Sequence, residues 1–256
     1  MCFTPGTVPS VPNLRNGNPM FSSENGIAGH RGWPTRFPDN TAAGITAALE
    51  AVGSIETDVR RTSDGVLVLS HDPVLAGRVV CETPWEELAI LDLGSGHHPV
   101  SLSELLAEIA GPHPLNLEVK NSPAEPGFEP DHLIALETAW SARSDDLLSS
   151  FYWPSMDAVR ASSPAVATGL LLDDPVSMAD AIAHARRIGH RAVIPNWKIL
   201  MREPDSIASA RRVGIHVASW TVNDPAVARK LFAAGVSVII TDDPGGMQAA
   251  LSKDQT

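Results

Sequence analysis

The feature that most constrains the fold is a regular alternation of short apolar runs with segments of helical periodicity, which starts at Gly26. Most of the apolar runs end in a polar or ionisable residue, as buried parallel strands often do. The runs predict eight strands, at residues 26–30, 54–60, 115–120, 146–151, 167–172, 192–197, 216–222 and 236–242. The intervening segments predict eight helices, at about 41–52, 101–110, 130–142, 155–162, 177–188, 204–213, 225–234 and 245–252. Eight strand–helix units in a chain of 256 residues predict a closed (β/α)8 TIM barrel rather than an open doubly wound sheet.

The connection after the second strand is elaborated, from about residue 62 to residue 100. Asp64 and Gly65 predict a hairpin turn, and residues 66–70 predict a short extra strand that runs into His71. We therefore predict a small insertion after strand 2. Such insertions on the carboxyl side of barrel strands are where function usually lies.

The first 25 residues are rich in Pro, Gly, Ser and Asn and contain neither the basic segment nor the apolar run of a signal peptide. We predict a flexible amino-terminal extension over residues 1–25 and a single barrel domain over residues 26–256. Because no apolar stretch approaches the roughly eighteen residues of a transmembrane helix, we expect no stable membrane insertion and a cytoplasmic location. The pattern of the helix faces does not reveal the oligomeric state.

The overall charge bears on the kind of partner. A formal net charge of −11 argues against a nucleic-acid-binding surface, which would need clustered Lys and Arg. An anionic substrate would therefore have to meet a local positive site.

Carboxylates gather in the early predicted strands. Glu56 and Asp58 lie two residues apart, so their side chains point to the same face, and the same holds for Glu118 and Lys120. Inward carboxylates repel one another unless a cation lies between them. With Glu118 they predict an all-oxygen site that suits Mg²⁺ or Ca²⁺ better than Zn²⁺. The alternative is a structural ion network that pairs these acids with Arg31, Arg60, Arg61 and Lys120.

Two of the nine histidines stand where chemistry is expected. His30 ends the first strand and His71 ends the inserted hairpin, and two imidazoles can accept one proton and supply another across a phosphorus centre. Arg31 and Lys120 would supply positive charge to phosphate oxygens. We interpret the remaining histidines as surface residues or satisfied core residues: His97, His98, His113, His132, His184, His190 and His216.

Eight short motifs follow one another on the predicted strands and loops. They are His30-Arg31-Gly32, Pro38-Asp39-Asn40-Thr41, Glu56-Thr57-Asp58-Val59, Asp64-Gly65, His71-Asp72, Leu117-Glu118-Val119-Lys120, Trp220-Thr221-Val222-Asn223 and Ile240-Thr241-Asp242-Asp243-Pro244. In this order the chain resembles the glycerophosphodiester phosphodiesterase family over about residues 26–250.

The resemblance implies a barrel enzyme that hydrolyses glycerophosphodiesters to sn-glycerol 3-phosphate and an alcohol. It implies one divalent ion, Mg²⁺ or Ca²⁺ with Mn²⁺ as a further candidate, and assigns roles to matching residues. These are Glu56, Asp58 and Glu118 as metal ligands, His30 and His71 as the acid/base pair, Arg31 and Lys120 as phosphate-binding cations, and Trp220 as a pocket aromatic. From the sequence alone, a tryptophan at position 220 is equally compatible with plain core.

Likeness to the related phosphatidylinositol-specific phospholipases C suggests that the glycerol 2-hydroxyl attacks first and that water then opens a cyclic phosphate. We expect His30 to be the base and His71 the acid, an order that the sequence itself does not determine. Asp39 replaces the family's usual glutamate, and Trp33 stands where a smaller residue is usual, so a bulky ring is expected at the pocket mouth.

Two alternatives stay open at this point. The first is a barrel of the same superfamily that cleaves lysophospholipids or another phosphodiester. The second is a catalytically silent barrel that binds a phosphorylated ligand, which would be free to lose one of the two histidines or a carboxylate.

Overall fold

The computed structural model describes residues 18–21, 26–109 and 111–253. Its strands are β1 (Gly26–His30), β2 (Ile55–Arg61), β3 (Leu67–Leu69), β4 (Val74–Leu75), β5 (Arg78–Val79), β6 (Leu115–Val119), β7 (Leu147–Ser150), β8 (Ala167–Leu172), β9 (Ala192–Pro195), β10 (His216–Ser219) and β11 (Val238–Thr241). Eight of them pair in parallel in the order β1-β2-β6-β7-β8-β9-β10-β11, and β11 returns to β1. The predicted closed (β/α)8 barrel is confirmed.

The helices surround this barrel. They are α1 (Ala42–Val52), α2 (Trp85–Leu88), α3 (Leu102–Glu108), α4 (Leu133–Ser141), α5 (Trp153–Ser162), α6 (Met178–Ile188), α7 (Trp197–Arg202), α8 (Asp205–Arg212), α9 (Pro225–Ala234) and α10 (Pro244–Ser252). All eight predicted helices are present. None of the helices in the described part of the chain combines the length and the apolar character needed to cross a bilayer.

Two short helices were not predicted, and α7 corrects the end of a predicted strand. The apolar run at 192–197 was expected to be strand throughout, but β9 ends at Pro195. The Asn196 side chain then accepts a hydrogen bond from the Lys198 backbone N–H at 3.1 Å and starts α7. A proline followed by a good amino-terminal capping residue explains the early end of the strand.

The segment between β2 and α3 carries the remaining strands. β3 runs antiparallel to the end of β2, with Leu69 opposite Val59, and β4 and β5 form a separate small hairpin. The Arg60 guanidinium donates from Nε and Nη2 to the His71 carbonyl oxygen at 2.9 and 2.7 Å. The loop after β3 is thereby fixed against the barrel strand that carries Glu56 and Asp58.

Besides a small apolar cluster of Val68, Val80 and Leu88 in the segment between β2 and α3, two clusters make up the core of the barrel. The larger cluster lies between strands and helices and includes Ile55, Val59 and Leu117. The smaller one groups alternate residues of the barrel strands, many of them small, such as Ala28, Ala192 and Ala218, as expected for a barrel interior. Because side chains alternate along a strand, the outward positions of Ile55 and Val59 direct Glu56 and Asp58 inward.

The prediction of a flexible extension over residues 1–25 falls mostly on residues outside those described. The described part, Asn18–Phe21, is a 3-10 turn in which Met20 and Phe21 are buried and join the inner cluster. The Phe21 ring stacks on the His216 ring, with centroids 4.5 Å apart. Because His216 begins β10, this turn packs at the amino-terminal end of the barrel.

The cluster between strands and helices should contribute to the stability of the fold. Leu117 is fully buried between β6 and the helices, so Leu117→Ala should lower the free energy of unfolding by about 2–5 kcal/mol. The matched exposed change, Ile90→Ala at a side chain 77% exposed, should stay within about 0.5 kcal/mol. Urea unfolding of both variants measures the difference. Equal midpoints would contradict this account of the core.

Candidate active site

Three carboxylates meet inside the barrel at the carboxyl ends of two neighbouring strands. Glu56 and Asp58 extend from β2, and Glu118 extends from β6, where it lies opposite Asp58 in the strand register. All three are buried, at 3%, 1% and 7% exposure. One oxygen from each lies within 4.8 Å of the others. The three sequence-predicted metal ligands thus come together in a single cluster.

The two predicted phosphate-binding cations lie against these carboxylates. The Lys120 ammonium is 2.6 Å from Glu118 Oε1 and 3.0 Å from Asp58 Oδ1. Arg31 Nε lies 3.4 Å from Asp58 Oδ2, and its Nη1 donates to Asp39 Oδ2 at 2.9 Å. Asp39, the residue that differs from the family's usual glutamate, therefore orients Arg31.

The turn after β1 brings backbone as well as side chains to the cluster. Arg31 and Gly32 both have positive φ, at 52° and 88°, and the Arg31 N–H donates to Glu56 Oε2 at 3.1 Å. A Cβ on Gly32 would lie 2.7 Å from the Gly44 carbonyl carbon, because α1 packs directly on the turn. Glycine at position 32 thus satisfies both a left-handed conformation and a close helix contact.

The pKa shifts of the three carboxyl groups indicate whether the cluster suits a divalent ion. Burial, reinforced by the neighbouring Asp58 charge, raises the pKa of Glu56 to about 8. Burial also raises the pKa of Glu118. Asp58 is the exception, since Lys120 and Arg31 outweigh its burial and lower its pKa. Glu56 Oε1 is buried and has no hydrogen-bond partner among the described residues. Three carboxylates whose negative charge Lys120 and Arg31 compensate only in part fit a hard divalent cation.

His30 ends β1 beside this cluster. Its Nδ1 lies 2.6 Å from Asp242 Oδ1, and its Nε2 lies 3.9 Å from Glu56 Oε2. Burial lowers the pKa of His30, but the hydrogen bond to Asp242 and the charge of Glu56 outweigh it, and the net pKa is raised. Asn223 in turn donates to Asp242 Oδ2 at 2.6 Å and holds this carboxylate in place. His30 is therefore poised to carry a proton.

His71 reaches the same site from the loop after β3. Its Nδ1 lies 2.7 Å from Asp72 Oδ1, and its side chain is 39% exposed. Burial and the positive charges of Lys120 and Arg31 lower its pKa, whereas Asp58 and Asp72 act in the opposite direction. The two histidines thus have pKa values shifted in opposite directions.

Three aromatic side chains follow the carboxyl ends of barrel strands. Trp220 follows β10, donates from its indole nitrogen to the Ile194 carbonyl at 2.9 Å and packs on the inner cluster. Its ring meets the Phe151 ring edge to face at 5.4 Å, and Phe151 is 45% exposed. Trp33 instead donates to Asp243 Oδ1 at 3.0 Å and packs closely on Gly245. The Trp33 ring is therefore held against the start of α10.

Sequence reasoning did not assign three residues that organise the site. Asn40 donates to Asp58 Oδ2 at 2.9 Å and accepts from the Thr57 hydroxyl at 2.7 Å. Asp242 and Asn223 hold His30, as described above. All three stand inside motifs that were recognised, so the signal was present. Their roles require contacts between residues far apart in the chain, which the motifs do not show.

Comparison with known proteins places this site in a family. The sequence profile of the Glycerophosphoryl diester phosphodiesterase family matches residues 30–246. A glycerophosphodiester phosphodiesterase of Caldanaerobacter subterraneus is 28% identical over 233 residues, which cover 85% of this chain and 94% of the relative.

Among solved structures, an Oleispira antarctica phosphodiesterase in complex with the product sn-glycerol-3-phosphate is similar at a TM-score of 0.78 and 23% identity, covering 89% of this chain and 96% of its own. The glycerophosphodiester phosphodiesterase of Thermotoga maritima gives a TM-score of 0.73 at 24% identity, with 90% and 97% covered. These structures share the fold. The chain belongs to the glycerophosphoryl diester phosphodiesterase family and is a phosphodiester hydrolase of that family.

Proposed function

We propose that the protein hydrolyses glycerophosphodiesters to sn-glycerol 3-phosphate and an alcohol, with one divalent ion held by Glu56, Asp58 and Glu118. The observation that carries the proposal is the meeting of three carboxylates, two cations and two histidines at one end of the barrel. The product found in the Oleispira antarctica structure supports the substrate class. A silent binding barrel would have no need to keep every one of these groups.

The ion is Mg²⁺ or Ca²⁺, with Mn²⁺ also compatible, because every protein donor is a carboxylate oxygen. When bound, it would act as a Lewis acid on a nonbridging phosphate oxygen. Arg31 and Lys120 lie beside the same carboxylates and would hold the remaining phosphate charge. Because Lys120 contacts Asp58 and Glu118, its position also depends on the charge of that cluster.

The opposite pKa shifts of the histidines favour different roles for them, in the reverse of the order assigned above, which the sequence itself does not determine. We propose that His71, whose pKa is lowered, accepts the proton of the glycerol 2-hydroxyl as this oxygen attacks phosphorus. His30, whose pKa is raised, donates its proton to the departing alkoxide as the bond between phosphorus and the alcohol oxygen breaks. The products of this step are the free alcohol and a cyclic glycerol phosphate.

The second step returns both histidines to their starting state. His30, now neutral, accepts a proton from water as the water oxygen attacks phosphorus. His71, now protonated, returns a proton to the glycerol 2-oxygen as the ring opens. Asp242 keeps the His30 ring oriented through both steps by its hydrogen bond to Nδ1.

Removal of the ion or of one ligand tests the metal site. EDTA should abolish release of glycerol 3-phosphate from glycerophosphocholine, and Mg²⁺ or Ca²⁺ should restore it. Glu56→Gln should lower kcat/KM at least about 100-fold, because several kcal/mol of charge stabilisation is lost. Glu50→Gln, at an exposed position on α1, is the matched control and should leave the rate unchanged. Full activity in EDTA would refute the metal requirement.

The leaving group distinguishes the two histidines. His30→Ala should reduce turnover of glycerophosphocholine by about 100- to 10,000-fold, since the choline alkoxide needs a proton. It should largely spare release of p-nitrophenolate from the p-nitrophenyl diester of glycerol 3-phosphate, because this phenolate departs without a proton, although the later ring opening should still be slowed. His71→Ala should impair both substrates, because both need the nucleophile activated. The opposite pattern would restore His30 as the base.

Asp242 should set the pH range over which His30 stays protonated. Its hydrogen bond and charge raise the pKa of His30, so Asp242→Asn should lower that pKa. If protonated His30 is the acid, activity falls as pH rises through its pKa, and the alkaline limb of the kcat/KM profile should move to lower pH. Asp224→Asn is the control, because it exchanges one good capping residue for another at the start of α9. An unmoved alkaline limb would count against the assigned role of Asp242.

A further inference from the structure

A second cluster of metal-binding side chains lies outside the barrel, where α5, α6 and the segment leading into β9 meet. It consists of Asp157 on α5, His184 on α6 and His190 just before β9. Since His190 precedes its strand, the cluster lies toward the amino-terminal ends of the strands, away from the carboxylates of the active site. The proposed phosphodiesterase mechanism uses none of these residues.

Both imidazoles converge on the same carboxylate. His184 Nε2 and His190 Nε2 each lie 2.9 Å from Asp157 Oδ1. The two rings are nearly parallel, at 9° with centroids 5.7 Å apart. The His190 side chain is completely buried, whereas His184 and Asp157 are 21% and 33% exposed. The cluster is therefore buried on the His190 side and open to solvent on the side of His184 and Asp157.

The second nitrogen of the His190 ring also has a hydrogen-bond partner. Its Nδ1 lies 2.8 Å from the hydroxyl of Thr168, which is fully buried on β8. Without a metal, the contact with the Asp157 carboxylate requires a neutral His190 to carry its proton on Nε2, and the Thr168 hydroxyl then donates to Nδ1. When Nε2 binds a metal, the ring proton moves to Nδ1 and the same hydroxyl can accept it, which is how metal-binding histidines are usually oriented.

We propose that Asp157, His184 and His190 bind a Zn²⁺ ion and thereby link α5, α6 and the start of β9. Two imidazole nitrogens and one carboxylate oxygen match the donor preference of Zn²⁺, and the exposed side leaves room for a water as fourth ligand. The all-carboxylate active site prefers harder ions, so the two sites differ in ion chemistry. This proposal does not depend on the reaction proposed above.

The contact between Arg187 and His184 affects how strongly the site should bind Zn²⁺. Its Nη2 lies 3.0 Å from His184 Nδ1, and a guanidinium can only donate, so Nδ1 accepts there and Nε2 carries the proton. When Nε2 binds Zn²⁺, the proton of the neutral ring moves to Nδ1, and the exposed Arg187 must release it. Arg187 therefore competes with the metal form of His184, and its removal should strengthen Zn²⁺ binding.

The test is calorimetric titration of the full chain with Zn²⁺ in a large excess of Mg²⁺, which competes with Zn²⁺ for the carboxylates of the active site. The titrated protein is a variant with Cys2→Ser and Cys81→Ser, so that neither of the two thiols can bind Zn²⁺. We expect one Zn²⁺ per chain and a rise in melting temperature. His184→Ala should weaken binding at least 10-fold, and Thr168→Val by about 10- to 100-fold. Arg187→Gln should tighten binding several-fold.

His98→Ala, at an exposed histidine elsewhere on the surface, is the matched control and should bind Zn²⁺ as the parent does. Circular dichroism verifies that each variant is folded. Two results would overturn the proposal: no saturable Zn²⁺ binding by the parent, or binding by His184→Ala as tight as the parent's. Hydrolysis of glycerophosphocholine, assayed separately in Mg²⁺, should be unchanged in His184→Ala, so failure here is distinguishable from failure of the proposed function.

Discussion

The arrangement of the whole site depends on three carboxylates that lie close together at the carboxyl end of the barrel. Glu56, Asp58 and Glu118 are buried within 4.8 Å of one another, an arrangement that costs free energy unless positive charge compensates it. The parallel register of β2 and β6 makes the crowding unavoidable, because it places Asp58 opposite Glu118. Lys120 and Arg31 compensate part of the negative charge. The raised pKa of Glu56 indicates that the cluster still carries more negative than positive charge. This excess of negative charge favours a bound cation, and the cation together with Lys120 and Arg31 would then attract an anionic substrate.

The surrounding structure keeps this charged cluster in place. The left-handed turn after β1 directs a backbone N–H at Glu56, and Asn40 fixes Asp58. Asp242 on one side and the cations on the other separate the pKa values of His30 and His71. In the proposed reaction, these shifts would let one histidine donate a proton while the other accepts one.

The parts of this architecture that depend on local pattern could be predicted from the sequence. Strand alternation placed Glu56 and Asp58 on one inward face, and the eight-fold repeat led to the barrel. The parts that depend on distant contacts could not. Asp242 lies 212 residues from His30, and nothing in its motif shows that it bonds to that ring. The short helix α7 was missed because an apolar run hid the effect of Pro195 and Asn196. His184 and His190 were interpreted as ordinary surface or core residues, because only the fold shows that both contact Asp157.

The most direct test of the account is a crystal structure with Mn²⁺ and sn-glycerol 3-phosphate, in which anomalous scattering locates the ion. The account predicts an anomalous peak bonded to Glu56, Asp58 and Glu118, with the phosphate between that ion and the side chains of Arg31 and Lys120. It also predicts that His30 and His71 lie on opposite sides of the phosphorus atom. A peak elsewhere with the carboxylates still paired only to Lys120, or a phosphate bound away from both histidines, would contradict it.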